Sequence, residues 1–551
     1  MSKHPPIDIR PDHLQTVLDI LKKHVPHHEV WAFGSRVKWT AKEFSDLDLC
    51  VISHQPLDLG LKADLLEDFS ESDLPWKVDV VDWATTSESF RKIIEGEKVV
   101  VQRILNNYYN NLNNKWILTK IEDIAASHPN SITIGPFGSR MKADLYVQSG
   151  VRVIRGNNIS RDKKFDGNYV YVSEKTANSL SSCCLKPGDL VFPHRGNIGT
   201  VGITPDDGNK YILSTSLMKL SPCKNKVDSL YLMYFFRSPI GRASLLMNAS
   251  QVGTPGIATP LKSLRNIQLL LPPISLQNKI ASLLGALDDR ITLLREINGT
   301  LEAIAQALFK SWFIDFDPVH AKQQGLAPEG MDEATADLFP DNFEESELGL
   351  IPKGWRVGSL SDVALLNPES WTAKSHPYSL SYIDLSNTKD NIISNISEYL
   401  FDNAPSRARR VLRSGDTIIG TVRPGNRSFA FIYNPIKNLT ASTGFAVLRP
   451  KEEYYTELIF LTSTQKANIE YLAHLADGGA YPAVRPEEIM GIKCILSNNS
   501  IMEAFHNFTS PLLIRIMENN LFSQTLTTLR DTLLPRLISG QLRLPEVEET
   551  P

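Results

Sequence analysis

The sequence predicts an α+β chain of several domains: a small α/β unit in front, then two β-rich modules, each followed by a long helix. Three observations carry that reading. At 551 residues the chain exceeds what one hydrophobic core organises, so three or four domains are expected. Residues 275–313 place apolar side chains four and three positions apart with no Pro between them. Residues 499–534 repeat that spacing 225 positions later.

The first long segment steps through Leu276, Ile280, Leu283, Leu287, Arg290, Leu294, Ile297, Leu301, Ile304 and Leu308. A sustained 4-3 series marks a helix that packs along another helix. It would run about 50 Å, more than an ordinary surface helix of a globular domain. The second segment answers with Ile501, Phe505, Phe508, Leu512, Arg515, Asn519, Phe522, Leu526, Leu529 and Leu533. A chance amphipathic helix would share the spacing but not the charged interruption, and Arg290 falls on Arg515. This is an internal duplication, far longer in period than a solenoid repeat. Pro511 stands where the first copy has Ala286, so the second helix is expected to kink or to start late. Asn519, replacing Leu294, is expected to fix register at some cost in stability. Arg290 and Arg515 are expected at the rim of the helix interface, with Asp288, Asp289 and Glu518 as nearby acids.

An apolar content of 42% and a charged content of 22% place the chain among soluble globular proteins. No run of eighteen apolar residues predicts a membrane span, and MSKHPPIDIRPDHLQ lacks the apolar core of a signal peptide. Cys50, Cys183, Cys184, Cys223 and Cys494 show no C-x-x-C spacing, which points to reduced thiols in the cytoplasm. A net charge of −4 argues against coating nucleic acid by bulk positive charge. The charge is uneven, however: Arg407, Arg409, Arg410, Arg413, Arg423 and Arg427 crowd one stretch, while residues 332–347 are acidic.

Taken in order, residues 1–103 read as the α/β unit. An amphipathic helix at 11–24 precedes a strand at 30–33, the turn Gly34-Ser35-Arg36, a strand at 45–52 and another at 77–83. Asp46 and Asp48 sit two apart on the second strand and so share a face. Asp79 lies between valines on the third; Asp82, a competitor for its role, falls on the opposite face. Three carboxylates beside a Gly-Ser turn suit Mg²⁺ and a triphosphate, with turn N–H groups cradling a phosphate. The unit resembles the minimal nucleotidyltransferases, whose pattern is a Gly-Ser turn, Asp-x-Asp and a later Asp. That resemblance implies catalytic and metal-binding roles for Asp46, Asp48 and Asp79, nucleotide contacts at Gly34, Ser35 and Arg36, and Mg²⁺ with ATP or another NTP. Lys42 and Phe44 depart from the looser Gly-rich loop of many relatives.

Asparagine-rich residues 104–114 read as a linker. Residues 115–274 form the first β-rich module, with short strands at 151–154, 169–172, 190–192 and 211–213 and a helical stretch at 228–248. The tetrapeptide FGSR recurs around Gly138 without a following Asp-x-Asp, so no second nucleotide site is expected. The helix at 275–313 follows, then a linker at 314–350, a second module at 351–498, the helix at 499–534 and a tail at 535–551. The modules share anchors in order: Trp116 with Trp355, LKPGD at 185–189 with LRSGD at 412–416, and the turns at 253–255 and 478–482.

Residues 115–551 resemble the specificity subunit of type I restriction-modification enzymes. The resemblance rests on ordered phrases: GPFGS at 135–139, LKPGDLVFPHRGNIG at 185–199, LPPISLQNKIASLL at 271–284, SWFIDFDPVHAK at 311–322, ELGLIPKGW at 347–355 and LRDTLLPRLISGQL at 529–542. It implies two target-recognition domains, each reading half of a split site on double-stranded DNA. They are separated by two long helices that pair as an antiparallel coiled coil and act as a ruler. The implied partners are methyltransferase subunits, two of them, and restriction/translocase subunits. Those partners would hold S-adenosylmethionine and ATP, because neither a P-loop nor an Asn-Pro-Pro-Tyr motif occurs here. Candidate DNA contacts are Arg155, Asn157, Asn158, His194, Arg195 and Asn197 in the first module. In the second they are Arg423, Asn426 and Arg427, with Arg407, Arg409 and Arg410 at phosphates. A solvated loop charge is the competing reading at each of these positions, and a structural turn competes at RGN and PGN. The other expectation is an enzyme in a defence or toxin-antitoxin setting, passing a nucleoside monophosphate to a protein or nucleic acid acceptor.

Overall fold

The computed structural model describes residues 7–26, 28–38, 40–42, 45–53, 56–102, 116–137, 140–160, 162–247, 249–250, 255–476 and 482–544. The linker expected at 104–114, Phe44, the end of the GPFGS phrase, the turn residues 253–254 and 478–481 and the last seven tail residues lie outside them. The chain divides into two compact units, residues up to Gly285 together with those from Thr532 onward, and Ala286–Asp531. Among the described residues no helix is long and apolar enough to cross a membrane.

The front domain contains α1 (Pro11–His24), β1 (Glu29–Phe33), β2 (Leu47–Ile52), α2 (Leu59–Ser70), β3 (Val78–Asp82), α3 (Glu88–Glu97) and β4 (Val99–Gln102). The sheet order is β3-β2-β1-β4. The β2/β3 pair is parallel, and the β1/β2 and β1/β4 pairs are antiparallel. Alternation along β2 sends Leu47, Leu49 and Val51 into the core beneath α1 and α2, with Val17, Leu21 and Leu65. Each such buried side chain contributes about 1.5–3 kcal/mol. Cys50 turns the other way, to Trp31, Phe33 and Ile94 of α3. Asp48 and Asp79 therefore lie on the α3 side of the sheet.

The two modules share their strand order, save for a fifth edge strand, Tyr146–Val147, in the first. In the first, one sheet runs Gly202–Ile203, Leu190–Pro193, Leu217–Leu220, Ile132–Ile134. The other runs Cys184–Leu185, Tyr211–Leu213, Val151–Ile154, Val170–Val172, Tyr146–Val147, with a parallel pair between its second and third strands. The second module repeats these as Phe429–Phe431, Thr417–Gly420, Phe445–Pro450, Ala364–Leu366, and as Ala408–Val411, Leu439–Ser442, Ser379–Ile383, Ser397–Leu400. Its second and third strands are again the parallel pair. The shared LxxGD turn is built alike in both. Gly188 and Gly415 each take φ +87°, and the buried Asp189 and Asp416 each accept the N–H of the residue three before, at 2.9 and 2.7 Å. Each carboxylate then meets a cation from a neighbouring strand, Lys219 at 3.3 Å and Arg449 at 2.8 Å. The helical stretch expected at 228–248 is two helices, Ser229–Arg237 and Pro239–Leu246, parted where Ser238 caps the second.

Both long helices contain 40 residues, Ile274–Phe313 and Asn499–Ile538. Each end of the second lies 225 positions after its counterpart. The expected late start is corrected: the helix begins twelve residues ahead of Pro511. It also extends four residues past the expected 534, through Pro535. The buried seam differs from the expected stripe at every second position. It runs through Ile280, Leu284, Leu287, Ile291, Leu294, Asn298, Leu301, Ala305, Leu308 and Trp312. On the second helix, 225 positions on, it runs through Phe505, Thr509, Leu512, Ile516, Asn519, Ser523, Leu526, Arg530, Leu533 and Leu537. Leu283, Ile297 and Ile304, with Phe508, Phe522 and Leu529, stand one place outside it and are exposed.

Three contacts of the second unit show that the pairing is antiparallel. Phe309 packs on Phe505, Asn519 donates to Asn298 Oδ1 at 2.8 Å, and Arg530 pairs with the buried Asp288 at 2.7 Å. Asn519 thus sits in a register-setting position. The acidic partners expected for both outer arginines occur only in part. Arg515 meets Glu518 of its own helix at 3.1 Å, and Arg290 lies over the Phe522 ring. Residues 314–350 are folded rather than a linker. They contribute Asp317–Gln323, Glu333–Asp337 and most of the hairpin Phe343–Ser346/Gly349–Pro352, and their Phe316, Val319 and Phe339 enter the main core of this unit, as does the following Ile351.

Candidate functional site

In the front domain, the β2/β3 register sets Asp48 directly opposite Asp79, and the β1/β2 register sets it opposite Phe33. Gly34 follows with φ +81°, and a Cβ there would collide with the Asp48 carboxylate. Glycine is therefore required twice over, for the left-handed turn and for the space the acid occupies. Burial raises the pKa of Asp48 first, and the charges of Asp79 and Asp46 raise it further. The three carboxylates thus repel one another electrostatically, the situation a divalent cation relieves. Asp46 is exposed, and Lys77 engages Asp79 at 2.5 Å. Among the described residues these acids are not already gathered into a metal-binding cluster. Their hard oxygen donors nevertheless suit a divalent cation such as Mg²⁺.

Asp82 faces away from this group. It is buried and binds Ser53 and the backbone N–H of Leu57, at 2.7 Å, and Ala84. Arg36, expected at the nucleotide, is also buried. Its guanidinium donates to Ser45 O at 3.0 and 2.6 Å and to Asp8 O at 2.8 Å, and it stacks on Trp76 at 4.4 Å. Lys77 and Trp76 carried no motif that sequence reasoning could use.

In each module the loop after the second strand of the first-named sheet is held the same way. Arg195 bridges Gly256, and Val422 bridges Ala483. Gly196 N–H donates to Pro255 O at 2.9 Å, and Arg423 N–H donates to Pro482 O at 2.8 Å. Each pair is 227 positions apart. Gly196 has φ +81°, and Arg423 has φ +48° in its place. A neighbouring loop joins each edge: His194 N–H binds Ser216 O while Ser214 N–H binds Ile154 O, and Thr421 N–H binds Gly444 O while Thr443 N–H binds Arg407 O.

Residues 154–303 match the type I restriction modification DNA specificity domain. The HindI specificity subunit of Haemophilus influenzae is 25% identical over 417 residues, covering 65% of this chain and 87% of that protein. The MjaIX specificity subunit of Methanocaldococcus jannaschii is 24% identical over 393 residues, covering 69% and 85%. Over its two modules the chain is similar to the type I restriction-modification specificity subunits. At its front it carries a nucleotidyltransferase domain: residues 15–104 match the Polymerase beta, Nucleotidyltransferase family. A probable protein adenylyltransferase MntA of Haemophilus influenzae is 55% identical over 102 residues, covering 18% of this chain and 90% of that protein.

Within the two modules, the expected DNA residues separate into two groups. Arg195, Asn197, Arg407, Arg423 and Asn426 are exposed on the loops just described, and Asn157 is exposed three residues after the strand Val151–Ile154. Two expectations are corrected. Asn158 is fully buried; its amide accepts from Arg155 N–H at 3.0 Å and donates to Asp166 O at 2.8 Å, closing a turn. His194 is buried against Thr215 O at 3.1 Å, and burial lowers its pKa. Four arginines are partly engaged. Arg155 binds Asn168 O at 3.0 Å, Arg409 lies over Phe401, Arg410 reaches Ser370 at 3.2 Å and Arg427 pairs with Asp390.

Proposed function

We propose that the chain acts as a specificity subunit and reads a bipartite site on double-stranded DNA, one half through each module, with the long helices as spacer and as docking surface for methyltransferase subunits. Restriction/translocase subunits complete the complex, which works in the cytoplasm. S-adenosylmethionine and ATP are bound by those partners. The observation that carries this reading is Arg423. It holds an exposed arginine in the left-handed region at the loop position where the sister module has Gly196. Such strain, about 1–3 kcal/mol for a non-glycine residue, persists at functional sites. Arg195, Asn197, Asn426 and Asn157 are the accompanying candidates for base edges, and Arg155, Arg407, Arg409, Arg410 and Arg427 for phosphates. The exposed rows with Leu283, Ile297, Ile304, Phe508, Phe522 and Leu529 support helix docking, since apolar patches of this kind mark interaction sites. Mapping genome methylation with and without the gene tests the proposal. Loss of one split-site motif is expected, and an unchanged methylome refutes it.

We further propose that the front domain transfers a nucleoside monophosphate from ATP or another NTP, using Asp46, Asp48 and Asp79 as metal-binding and catalytic carboxylates and Gly34 and Ser35 at the phosphates. The metal would supply charge neutralisation on the phosphates. The carboxylates would hold it, and Lys77 would release Asp79 when it arrives. Labelling with radioactive ATP and Mg²⁺, lost in Asp46→Ala and Asp48→Ala, tests this role; labelling that survives both changes refutes it.

A further inference from the structure

We propose that Arg36 is a positioning residue that sets Asp46 and Asp79 in place from beneath the site, rather than a ligand of the nucleotide. This rests on the reading of the three carboxylates as a metal and nucleotide site. The geometry is a clamp on three separate pieces of chain. Two guanidinium nitrogens converge on Ser45 O, the carbonyl immediately before Asp46, at 3.0 and 2.6 Å. A third donates to Asp8 O at 2.8 Å, and Asp8 N–H returns a bond to Arg36 O at 2.9 Å. The face of the guanidinium rests on Trp76 at 4.4 Å, and Trp76 lies three residues before Asp79. The approach to β2 is also bonded to the approach to β3, because Leu47 N–H donates to Lys77 O at 2.9 Å. Asp46 precedes β2 and has no ladder partner of its own, so its backbone depends on what holds Ser45.

Arg36 is 5% exposed, with its donors directed at these carbonyls. A planar fork suits that task because two donors can converge on one oxygen while the flat face stacks on an aromatic ring. Lysine would keep the charge and part of the hydrogen bonding but lose the fork. Methionine would keep the stem and lose every donor, leaving Ser45 O and Asp8 O without this partner. In both cases the carboxylates remain chemically intact.

The test is calorimetric titration of the full-length protein with Mn²⁺ and AMP-PNP, comparing wild type, Arg36→Met, Arg36→Lys and Asp46→Asn, with thermal melting in parallel. The expected result is at least tenfold weaker binding for Arg36→Met and partial rescue by Arg36→Lys, whether or not the melting temperature falls. A purely structural role would lower the melting temperature and leave the affinity of the folded protein unchanged. Affinity within twofold of wild type in Arg36→Met overturns the inference. Should that variant not fold, Arg36→Lys decides alone: threefold weaker binding supports positioning, and wild-type affinity overturns it. If wild type and Asp46→Asn bind equally, or neither binds, the carboxylate reading itself fails and the positioning role falls with it.

Discussion

Arg423→Gly separates strain from function. Arg423 has φ +48° and is exposed, and its N–H is held by Pro482 O at 2.8 Å. Left-handed backbone costs an L-residue about 1–2 kcal/mol. Glycine removes that cost but adds about 0.4–1 kcal/mol of unfolded-state entropy. The backbone bond to Pro482 is kept, and the exposed side chain has little packing to lose. The variant is therefore expected to be as stable as wild type or up to about 1.6 kcal/mol more stable. DNA affinity should move the other way. A bidentate base contact would cost about 1–3 kcal/mol and relax specificity at one position, whereas a phosphate contact would weaken all sequences and reduce the salt slope by about one. The assay is fluorescence anisotropy on cognate and scrambled duplexes over a salt series, with the subunit purified alongside its methyltransferase partners, and thermal melting of the same samples. Wild-type DNA binding, or a loss of stability above about 1 kcal/mol, would refute the argument that strain is kept here for recognition.

Three further outcomes follow from the geometry. Asp288→Ala leaves the half-buried Arg530 with its Asp531 pair alone and should destabilise the helix pair by about 1–3 kcal/mol. Hydrogen exchange of peptides at 286–295 and 524–531 should quicken by roughly five- to a hundredfold at that cost; an unchanged rate contradicts it. Glu457 raises the pKa of His506, bonded to it at 2.6 Å, above its ordinary 6.5. That pair's stabilisation is fully present below 6.5 and is lost as pH rises through the raised value. NMR titration of His506 should give a pKa above 6.5, falling towards 6.5 in Glu457→Gln. Gly34→Ala should abolish nucleotide binding and destabilise the front domain by about 1–3 kcal/mol, measured by AMP-PNP titration and thermal melting; unchanged binding would remove Gly34 from the site.

The duplication was legible because a charged residue repeated along with the apolar spacing, and the 225-residue offset holds at both helix ends. The seam was half legible. Leu283, Ile297 and Ile304 are apolar but lie next to the seam, so hydrophobicity alone selected them over Leu284, Asn298 and Ala305. Arg290 was the visible sign that every second position was displaced. Polar seam residues such as Asn298 and Asp288 carry no apolar signal, and their meaning lies in partners more than 200 residues away. In the front domain, Asp-x-Asp and the Gly-Ser turn identified the carboxylates, and strand alternation correctly assigned Asp82 to the other face. The burial of Arg36, Asn158 and His194 was not legible. Each is a polar residue in a turn, and only the carbonyls folded around it distinguish a clamp from a ligand.

The two long helices descend from one ancestral segment, so each retains a surface able to receive a copy of itself. If the first helix paired antiparallel with a second copy of itself, Asp288 would meet Ala305 where Arg530 now stands, and Asn298 would meet Leu294 in place of Asn519. A buried carboxylate and a buried amide would both lose the partners they have now. The same two polar contacts that set the register therefore bias each chain towards closing its two helices on each other.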